Sequence, residues 1–256
     1  MPARDLDLLT HAALEAGKIA LRYWKRNPQV WDKDGSPVTE ADLAVNAYLA
    51  EHLQGARPGY GWLSEETPDG PARLGCDQCF IVDPIDGTRA FIAGEETFSI
   101  SLAVATAGLV TAGVVYLPAL DRLYVASATS PALRDGQPIS VAGPKDEGDC
   151  SVLTGKVSLD PAMWPGGVPP VRRAFRPSLA YRFCLVAEGR HDGMLTLKDA
   201  WEWDIAAGAL IAARAGAIVT DRVGGALAFN CARPQAAGVI AAAPDLHAKL
   251  MARLQP

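Results

Sequence analysis

Residues 98–120, FSISLAVATAGLVTAGVVYLPAL, contain no charged side chain and are long enough in principle to cross a bilayer. The pattern within the segment nevertheless favours β-strands. Polar and apolar residues alternate over 99–102, and β-branched and aromatic residues dominate 114–116. Ala107 and Gly108 interrupt the segment between these stretches. We therefore predict a buried β-hairpin over 98–117, and a protein with no membrane partner.

The remainder of the chain mixes helical and strand patterns. Apolar residues recur at three- and four-residue spacing over 6–26, which predicts a helix. Thr39 precedes Asp42 by three residues, as in a capping box, and predicts a helix that extends to Leu53. Further helices are predicted over 178–188, 204–215 and 246–254, and further strands over 61–63, 80–82, 123–126, 217–220 and 238–241. Asp135-Gly136 predicts a hairpin turn. The segment 142–170 is rich in glycine, proline and charge, which predicts a linker or a domain crossover.

Composition limits the class of protein. The 256 residues are 49% apolar and 21% charged, which is typical of a globular chain. The net charge of −5 and the lack of a basic segment argue against nucleic acid as a partner. The N-terminus MPARDLDLLT does not resemble a signal peptide, and five cysteines are an odd number without disulfide spacing. We expect a cytoplasmic protein.

Three acidic motifs each follow an apolar stretch and precede small or polar residues. They are LSEET over 63–67, IVDPIDGT over 81–88 and WEWDIAAG over 201–208. In the second motif Pro84 stiffens the turn between Asp83 and Asp86, so both carboxylates can lie on one side of it. Divalent cations bind carboxylate oxygens and helix N-termini bind anions, so this turn is typical of a metal-assisted phosphate site.

Each acidic motif also has a simpler interpretation. Asp-Pro and Asp-Gly are ordinary turn residues, and the pair Glu65 and Glu66 fits a solvated edge. Asp204 fits the N-cap of the helix that follows it. No single motif decides between these interpretations.

Taken together and in this order, the motifs resemble those of the inositol monophosphatase family, which also contains 3′(2′),5′-bisphosphate nucleotidases and histidinol-phosphatases. Two more segments match, FCLVAEG over 183–189 and PVT over 37–39 with Asp42. The resemblance extends from about residue 34 to residue 230. It implies an α/β fold, a layered α-β-α-β-α sandwich. It also implies one phosphatase unit over 1–256, with sub-domains at 1–141 and 142–256.

The resemblance implies a centre with two Mg²⁺ ions, or three. Glu65, Asp83 and the carbonyl of Ile85 would hold the first ion. Asp83, Asp86 and Asp204 would hold the second, so that Asp83 bridges the two. The metal-binding set is therefore drawn from both predicted sub-domains.

The same resemblance implies the other roles at the site. Glu66 is the weaker candidate for a third ion. The implied catalytic residues are Glu65, Thr88 and Asp42, of which Thr88 and Asp42 form a hydrogen-bonded pair that orients or deprotonates the attacking water. The implied contacts to substrate and phosphate are Asp86, Gly87, Thr88, Ser178, Leu179 and Asp204.

Several positions of this chain differ from the pattern of the inositol-specific members. Inositol-specific members carry an acid seven residues before the metal aspartate, and this chain has Leu197 there. Phe91-Ile92 and Ser178-Leu179 are more similar to the corresponding segments of the bisphosphate nucleotidases. Arg176, Arg182 and Lys198 are candidate partners for a second phosphate, although each also fits a solvated surface charge.

The resemblance implies a Mg²⁺-dependent hydrolase of a small phosphorylated metabolite such as inositol monophosphate or 3′-phosphoadenosine 5′-phosphate, and many relatives are homodimers. Histidinol phosphate is an alternative substrate. An aspartyl-phosphate phosphatase would need an Asp-x-Asp motif, whereas Asp83 and Asp86 are three positions apart. A non-catalytic phosphate-binding module is a further alternative. Cys76 and Cys79 receive no role.

Overall fold

The computed structural model describes residues 2–33 and 35–255 of the chain. Its helices are α1 (Pro2–Tyr23), α2 (Glu40–Ala56), α3 (Thr88–Ile92), α4 (Leu179–Ala187), α5 (Glu202–Arg214) and α6 (Pro244–Leu254). Short 3₁₀ helices cover Pro71–Gly75, Pro118–Leu120, Glu147–Asp149, Lys156–Leu159 and Pro161–Met163.

The strands fall into two large sheets and two small ones. In chain order they are β1 (Val30–Lys33), β2 (Ser36–Thr39), β3 (Gly61–Ser64), β4 (Gln78–Asp86), β5 (Ser99–Thr106), β6 (Leu109–Leu117), β7 (Arg122–Ser127), β8 (Leu133–Arg134), β9 (Gln137–Pro138), β10 (Ser151–Leu153), β11 (Arg172–Ala174), β12 (Gly193–Thr196), β13 (Ala200–Trp201), β14 (Ile218–Thr220), β15 (Gln235–Ala236) and β16 (Val239–Ala242). Pairs β1–β2 and β13–β15 are separate antiparallel ladders.

The larger sheet has seven strands in the order β3-β4-β5-β6-β7-β8-β9, and only the β3–β4 pair is parallel. The predicted hairpin over 98–117 is confirmed, because β5 and β6 pair antiparallel across the turn at 107–108. None of the helices in the described residues is long and apolar enough to cross a membrane. The second sheet has five strands in the order β11-β10-β12-β16-β14.

Alternation of side chains along the central strands builds three apolar layers. Phe80 and Val82 on β4 pack with α1 and α2, whereas Ile81 packs on the opposite face with α4 and α5. Met194 of the second sheet joins that same middle layer, while its neighbour Leu195 packs against α6. The order of layers is therefore helices, sheet, helices, sheet, helix, and the predicted α/β sandwich is confirmed.

Two local expectations differ from the structure. Of the two interpretations of 142–170, an unstructured linker does not hold, because the segment contains β10, which lies inside the five-stranded sheet. Asp204 was considered as an N-cap, but α5 begins at Glu202 and Asp204 lies in its first turn. The division into sub-domains at residue 141 stays a prediction.

Close packing of α4 on α5 depends on Gly208, since an added Cβ there would lie 2.7–2.9 Å from Phe183 side-chain atoms. We expect Gly208→Ala to lower the free energy of unfolding by about 1–3 kcal/mol through overpacking. Gly55→Ala in α2 is the matched control, because its added Cβ meets nothing within 4 Å. That variant should raise the free energy by about 0.5–1 kcal/mol. Urea unfolding of both variants measures the difference, and equal midpoints would contradict it.

Candidate active site

The turn at the end of β4 carries the two acids of the second motif. Pairing of β4 with β5 shifts register between Asp83 and Asp86, so the strand bulges there. Asp83 Oδ1 accepts a hydrogen bond of 3.0 Å from the amide of Ile85. Gly87 follows with φ +95° and caps the five-residue helix α3. A side chain at Gly87 would be strained by this φ and would meet the backbone of Ser178 at 3.4 Å.

Asp86 is held at the N-terminus of α4. Its Oδ2 accepts from Ser178 Oγ at 2.6 Å and from the Ala180 amide at 2.7 Å, and its Oδ1 accepts from the Leu179 amide at 3.1 Å. Free amides and the dipole at a helix N-terminus stabilise such a carboxylate. Ser178 is fully buried and also lies 3.0 Å from Ser99 Oγ. In the described residues, neither Ser178 nor Leu179 lines the cleft, so both hold Asp86.

Asp204 reaches the same place from the first turn of α5. One carboxylate oxygen from each of Asp83, Asp86 and Asp204 lies within 4.8 Å of the other two. The start of α5 is fixed by Glu202, whose carboxylate accepts from the amides of Asn230 and Cys231 at 2.6 and 2.9 Å. The structure thus brings together three acids from distant parts of the chain.

Glu65 borders the same cleft just after the end of β3, and its amide donates a hydrogen bond of 3.2 Å to the Val82 carbonyl. Its neighbour Glu66 has a different partner. Lys33 on β1 donates from Nζ to Glu66 Oε2 at 2.9 Å, and also to the backbone carbonyl of Glu65. The ammonium of Lys33 therefore already offers Glu66 a positive charge, and no local motif predicts this pair.

Asp42 and Thr88 lie beside these acids. Asp42 completes the predicted capping box of α2, since its Oδ2 accepts from the Thr39 amide at 2.8 Å. Thr88 Oγ1 lies 3.4 Å from Asp42 Oδ1 and 3.1 Å from the Ile85 carbonyl oxygen. The predicted proximity of Thr88 and Asp42 is therefore present, and the side chain of Ile85 itself is buried in the core.

Burial raises the pKa of Asp42, Glu65, Asp83, Asp86 and Asp204, and repulsion between carboxylates adds to this rise at four of them. Burial is the larger cause for Asp83 and Asp204, and the neighbouring carboxylates raise the pKa of each further. Burial raises the pKa of Asp86 against the lowering effect of its hydrogen bonds to α4. Burial and the charge of Glu66 raise the pKa of Glu65 to about 7. Burial raises the pKa of Asp42 to about 6.

These acids fit a divalent cation. Asp83 Oδ2 is buried and has no hydrogen-bond partner among the described residues, which is costly for a carboxylate oxygen. Carboxylate oxygens at this spacing are the ligands that hard cations such as Mg²⁺ prefer. A positive ion would neutralise the repulsion that raises the pKa values, so the donor set suits a metal better than it suits an empty site.

A cleft of about 360 Å³ opens onto the acids. It is lined by Ser36, Pro37, Glu65, Asp83, Asp86, Gly87, Thr88, Arg89, Ala90, Glu95, Phe175, Pro177 and Asp204. This volume accommodates a small ligand. Phe175 could not be predicted from the sequence, because a lone aromatic residue in an irregular segment carries no local signal.

The other residues singled out from the sequence do not line the cleft themselves. Arg182 is 8% exposed and donates from Nε to the Arg176 carbonyl at 2.6 Å, so it is not a surface charge. Lys198 is exposed, and Leu197 is buried in the core cluster with Val152. All five cysteines are free thiols.

The raised pKa values predict how pH affects the stability of the metal-free protein. Between about pH 4 and 7 the folded protein keeps protons on Glu65 and Asp42 that the unfolded chain releases, so its stability falls as pH rises. Mg²⁺ binds the deprotonated acids, so it should stabilise more at pH 8 than at pH 5. At 100 times its dissociation constant the gain is about 2.7 kcal/mol.

Thermal unfolding in EDTA and in MgCl₂ at both pH values measures this effect. The comparison within each pH cancels the opposite contribution of His191 and His247, whose pKa values are lowered by burial. An equal Mg²⁺ shift at pH 5 and pH 8 would contradict the prediction.

Comparison with known proteins agrees with this geometry. The model of the inositol monophosphatase family matches residues 3–256. The chain is 34% identical over 238 residues to an inositol-1-monophosphatase of Mesorhizobium japonicum, covering 86% of each chain. It is 33% identical over 227 residues to a histidinol-phosphatase of Chlorobaculum parvum, covering 85% of each. Among solved structures, an IMPase of Thermotoga maritima superposes with a TM-score of 0.83 at 28% identity, covering 99% of this chain and 97% of that one.

Proposed function

This chain belongs to the inositol monophosphatase family and is a phosphatase, and we propose that it is a Mg²⁺-dependent hydrolase of a small phosphorylated metabolite. The observation that carries the proposal is the meeting of Asp83, Asp86 and Asp204 within 4.8 Å in a cleft that Glu65 and Thr88 also line. Family members are metal-dependent, and the unpartnered Asp83 Oδ2 supports the same requirement here.

We assign two Mg²⁺ ions to these acids. Glu65, Asp83 and the carbonyl of Ile85 would hold one, and Asp83, Asp86 and Asp204 the other. When bound, the ions neutralise phosphate charge and make water a stronger nucleophile near neutral pH. Because Lys33 already pairs with Glu66, we expect a third ion to bind weakly.

The residues around the acids would position the reactants. The amides of Gly87 and Thr88 at the start of α3 would bind phosphate oxygens. Thr88 Oγ1 would hold the attacking water, with Asp42 as the proton acceptor behind it. The pKa of Asp42 is raised to about 6, so the carboxyl group is largely deprotonated at pH 7. This pKa is also close enough to the working pH for Asp42 to accept a proton efficiently. Glu65, which lines the same cleft, would also help to activate this water.

We propose that the substrate is a phosphate monoester such as inositol monophosphate, 3′-phosphoadenosine 5′-phosphate or histidinol phosphate. We also propose a cytoplasmic homodimer; light scattering after size exclusion would test the dimer. The free thiols are consistent with a reducing compartment.

Phosphate release with and without Mg²⁺ tests the proposed activity. The panel compares inositol 1-phosphate, 3′-phosphoadenosine 5′-phosphate, histidinol phosphate and fructose 1,6-bisphosphate. We expect turnover of at least one ester in Mg²⁺ and loss of turnover in EDTA. Full activity in EDTA would refute the metal role. Transfer of the phosphoryl group to H₂¹⁸O with inversion at phosphorus would support direct attack by water, whereas a trapped phosphoryl group on Asp83 would indicate the covalent alternative.

A further inference from the structure

One wall of the cleft is aromatic. Residues 175–177 connect β11 to Ser178, which caps α4, and Phe175 and Pro177 from this segment line the cleft together with Asp86 and Asp204. Phe175 is 48% exposed although its ring is large and apolar. Exposing so much of a phenyl ring beside a reaction centre is unfavourable unless a ligand covers it.

Arg182 on α4 holds this wall in place. Its guanidinium carbon lies 4.6 Å from the centre of the Phe175 ring, so one ring face rests on a cation. Its Nε donates to the Arg176 carbonyl at 2.6 Å and an Nη donates to the Pro177 carbonyl at 3.4 Å. Because Arg182 is itself buried, the segment is anchored before any ligand arrives.

The chemistry of this wall suits a flat ring better than a polyol. Neither Phe175 nor Pro177 has a side-chain group that can donate or accept a hydrogen bond. Leu197 adds none, because it is 2% exposed within a separate core cluster. Hydroxyl groups placed here would lose hydrogen bonds to water without replacement, whereas a planar ring would stack on the exposed part of Phe175.

We infer that Phe175, supported by Arg182, determines specificity for the leaving group and favours phosphate esters whose alcohol carries a planar heteroaromatic ring, such as a purine or an imidazole. This inference rests on the proposed function, since it assigns the non-phosphate end of the same substrate. Phe175 acts on binding of the alcohol portion, while the acids act on the phosphate.

Variants at Phe175 test the inference by comparing substrates. Phe175→Leu removes the aromatic face and keeps an apolar side chain, and Phe175→Tyr keeps the face. The measured quantity is kcat/KM for 3′-phosphoadenosine 5′-phosphate and histidinol phosphate, each divided by that for glycerol 2-phosphate. We expect Phe175→Leu to lower this ratio by about 5- to 150-fold, the range found when a stacking aromatic is lost. Phe175→Tyr should largely restore it.

Leu109→Ala is the matched control, because Leu109 is an exposed apolar residue outside the cleft lining. It should leave the ratio unchanged. A response of only the purine or only the imidazole ester supports the inference and identifies the ring. An unchanged ratio in Phe175→Leu, or a wild-type enzyme that prefers myo-inositol 1-phosphate over both ring esters, would overturn it.

A binding measurement separates this inference from the proposed function. Calorimetric titration with adenosine 5′-phosphate, histidinol and myo-inositol needs no turnover. For either ring ligand, we expect the dissociation constant of Phe175→Leu to be about 5- to 150-fold higher than that of wild type. This result would support the inference even if no ester is hydrolysed. Equal dissociation constants of wild type and variant for both would overturn it even if the enzyme is an active phosphatase.

Discussion

Asp83→Asn is expected to lower kcat for phosphate ester hydrolysis on the order of 10³-fold, because a bound cation stabilises transition-state charge by several kcal/mol and about 1.4 kcal/mol is a factor of ten. Asp83 is proposed to be shared by both ions, so losing its charge weakens both sites. Steady-state phosphate release in saturating Mg²⁺ measures the loss.

The same variant should be more stable than wild type when both lack metal. Asp83 Oδ2 is buried, has no hydrogen-bond partner among the described residues, and lies close to other acids. Asparagine removes the charge while keeping the shape of the side chain. Thermal unfolding in EDTA at pH 8 should therefore show a higher midpoint for Asp83→Asn.

Asp77→Asn provides the control for this experiment. Asp77 is exposed and immediately precedes β4, so it lies near the same strand but outside the cleft lining. Its kcat should match wild type. Near-normal turnover of Asp83→Asn would remove the basis of the metal assignment. A lower EDTA midpoint would instead show that Asp83 supports the fold.

Thr88→Val should lower kcat by about 10²-fold or more with little change in KM, because general acid–base groups contribute about 10²- to 10⁴-fold. Valine keeps the branched shape of threonine and removes the hydroxyl that lies 3.4 Å from Asp42. Thr88→Ser keeps the hydroxyl and should retain most of the activity.

The pH profile gives this prediction a second readout. With a pKa near 6, Asp42 becomes protonated as pH falls through that value, so wild-type activity should decline on the acidic side. In Thr88→Val the residual activity should lose part of this dependence. If Thr88→Ser were as inactive as Thr88→Val, the hydroxyl would not be the group that matters.

Local patterns were sufficient for much of the fold. The alternation over 99–102 and the break at 107–108 predicted the hairpin, and the spacing of Thr39 and Asp42 predicted the start of α2. Strands β10 and β11 were missed, because each has three residues and they pair in parallel across some twenty positions. Neither a hairpin turn nor a long alternating pattern marks such strands.

At the site, too, residues with a local sequence pattern could be predicted and residues without one could not. The acids could be named from their motifs, since strand ends followed by small residues gave each one a local context. The partners of those acids could not be named. Ser178 lies 92 positions after Asp86, and the bonds of Lys33 to the Glu65–Glu66 segment form only when β1 folds back onto the end of β3. Contacts of this kind are products of the tertiary fold.

The attachment of Asp86 to α4 has a consequence for how activity appears during synthesis of the chain. The sheet that carries Asp83 and Asp86 is encoded before residue 140, yet the helix end that orients Asp86 and the acid Asp204 come later. A nascent chain lacking these segments cannot complete the centre. Hydrolysis should therefore begin only after the segments that carry Ser178 and Asp204 have folded against this sheet.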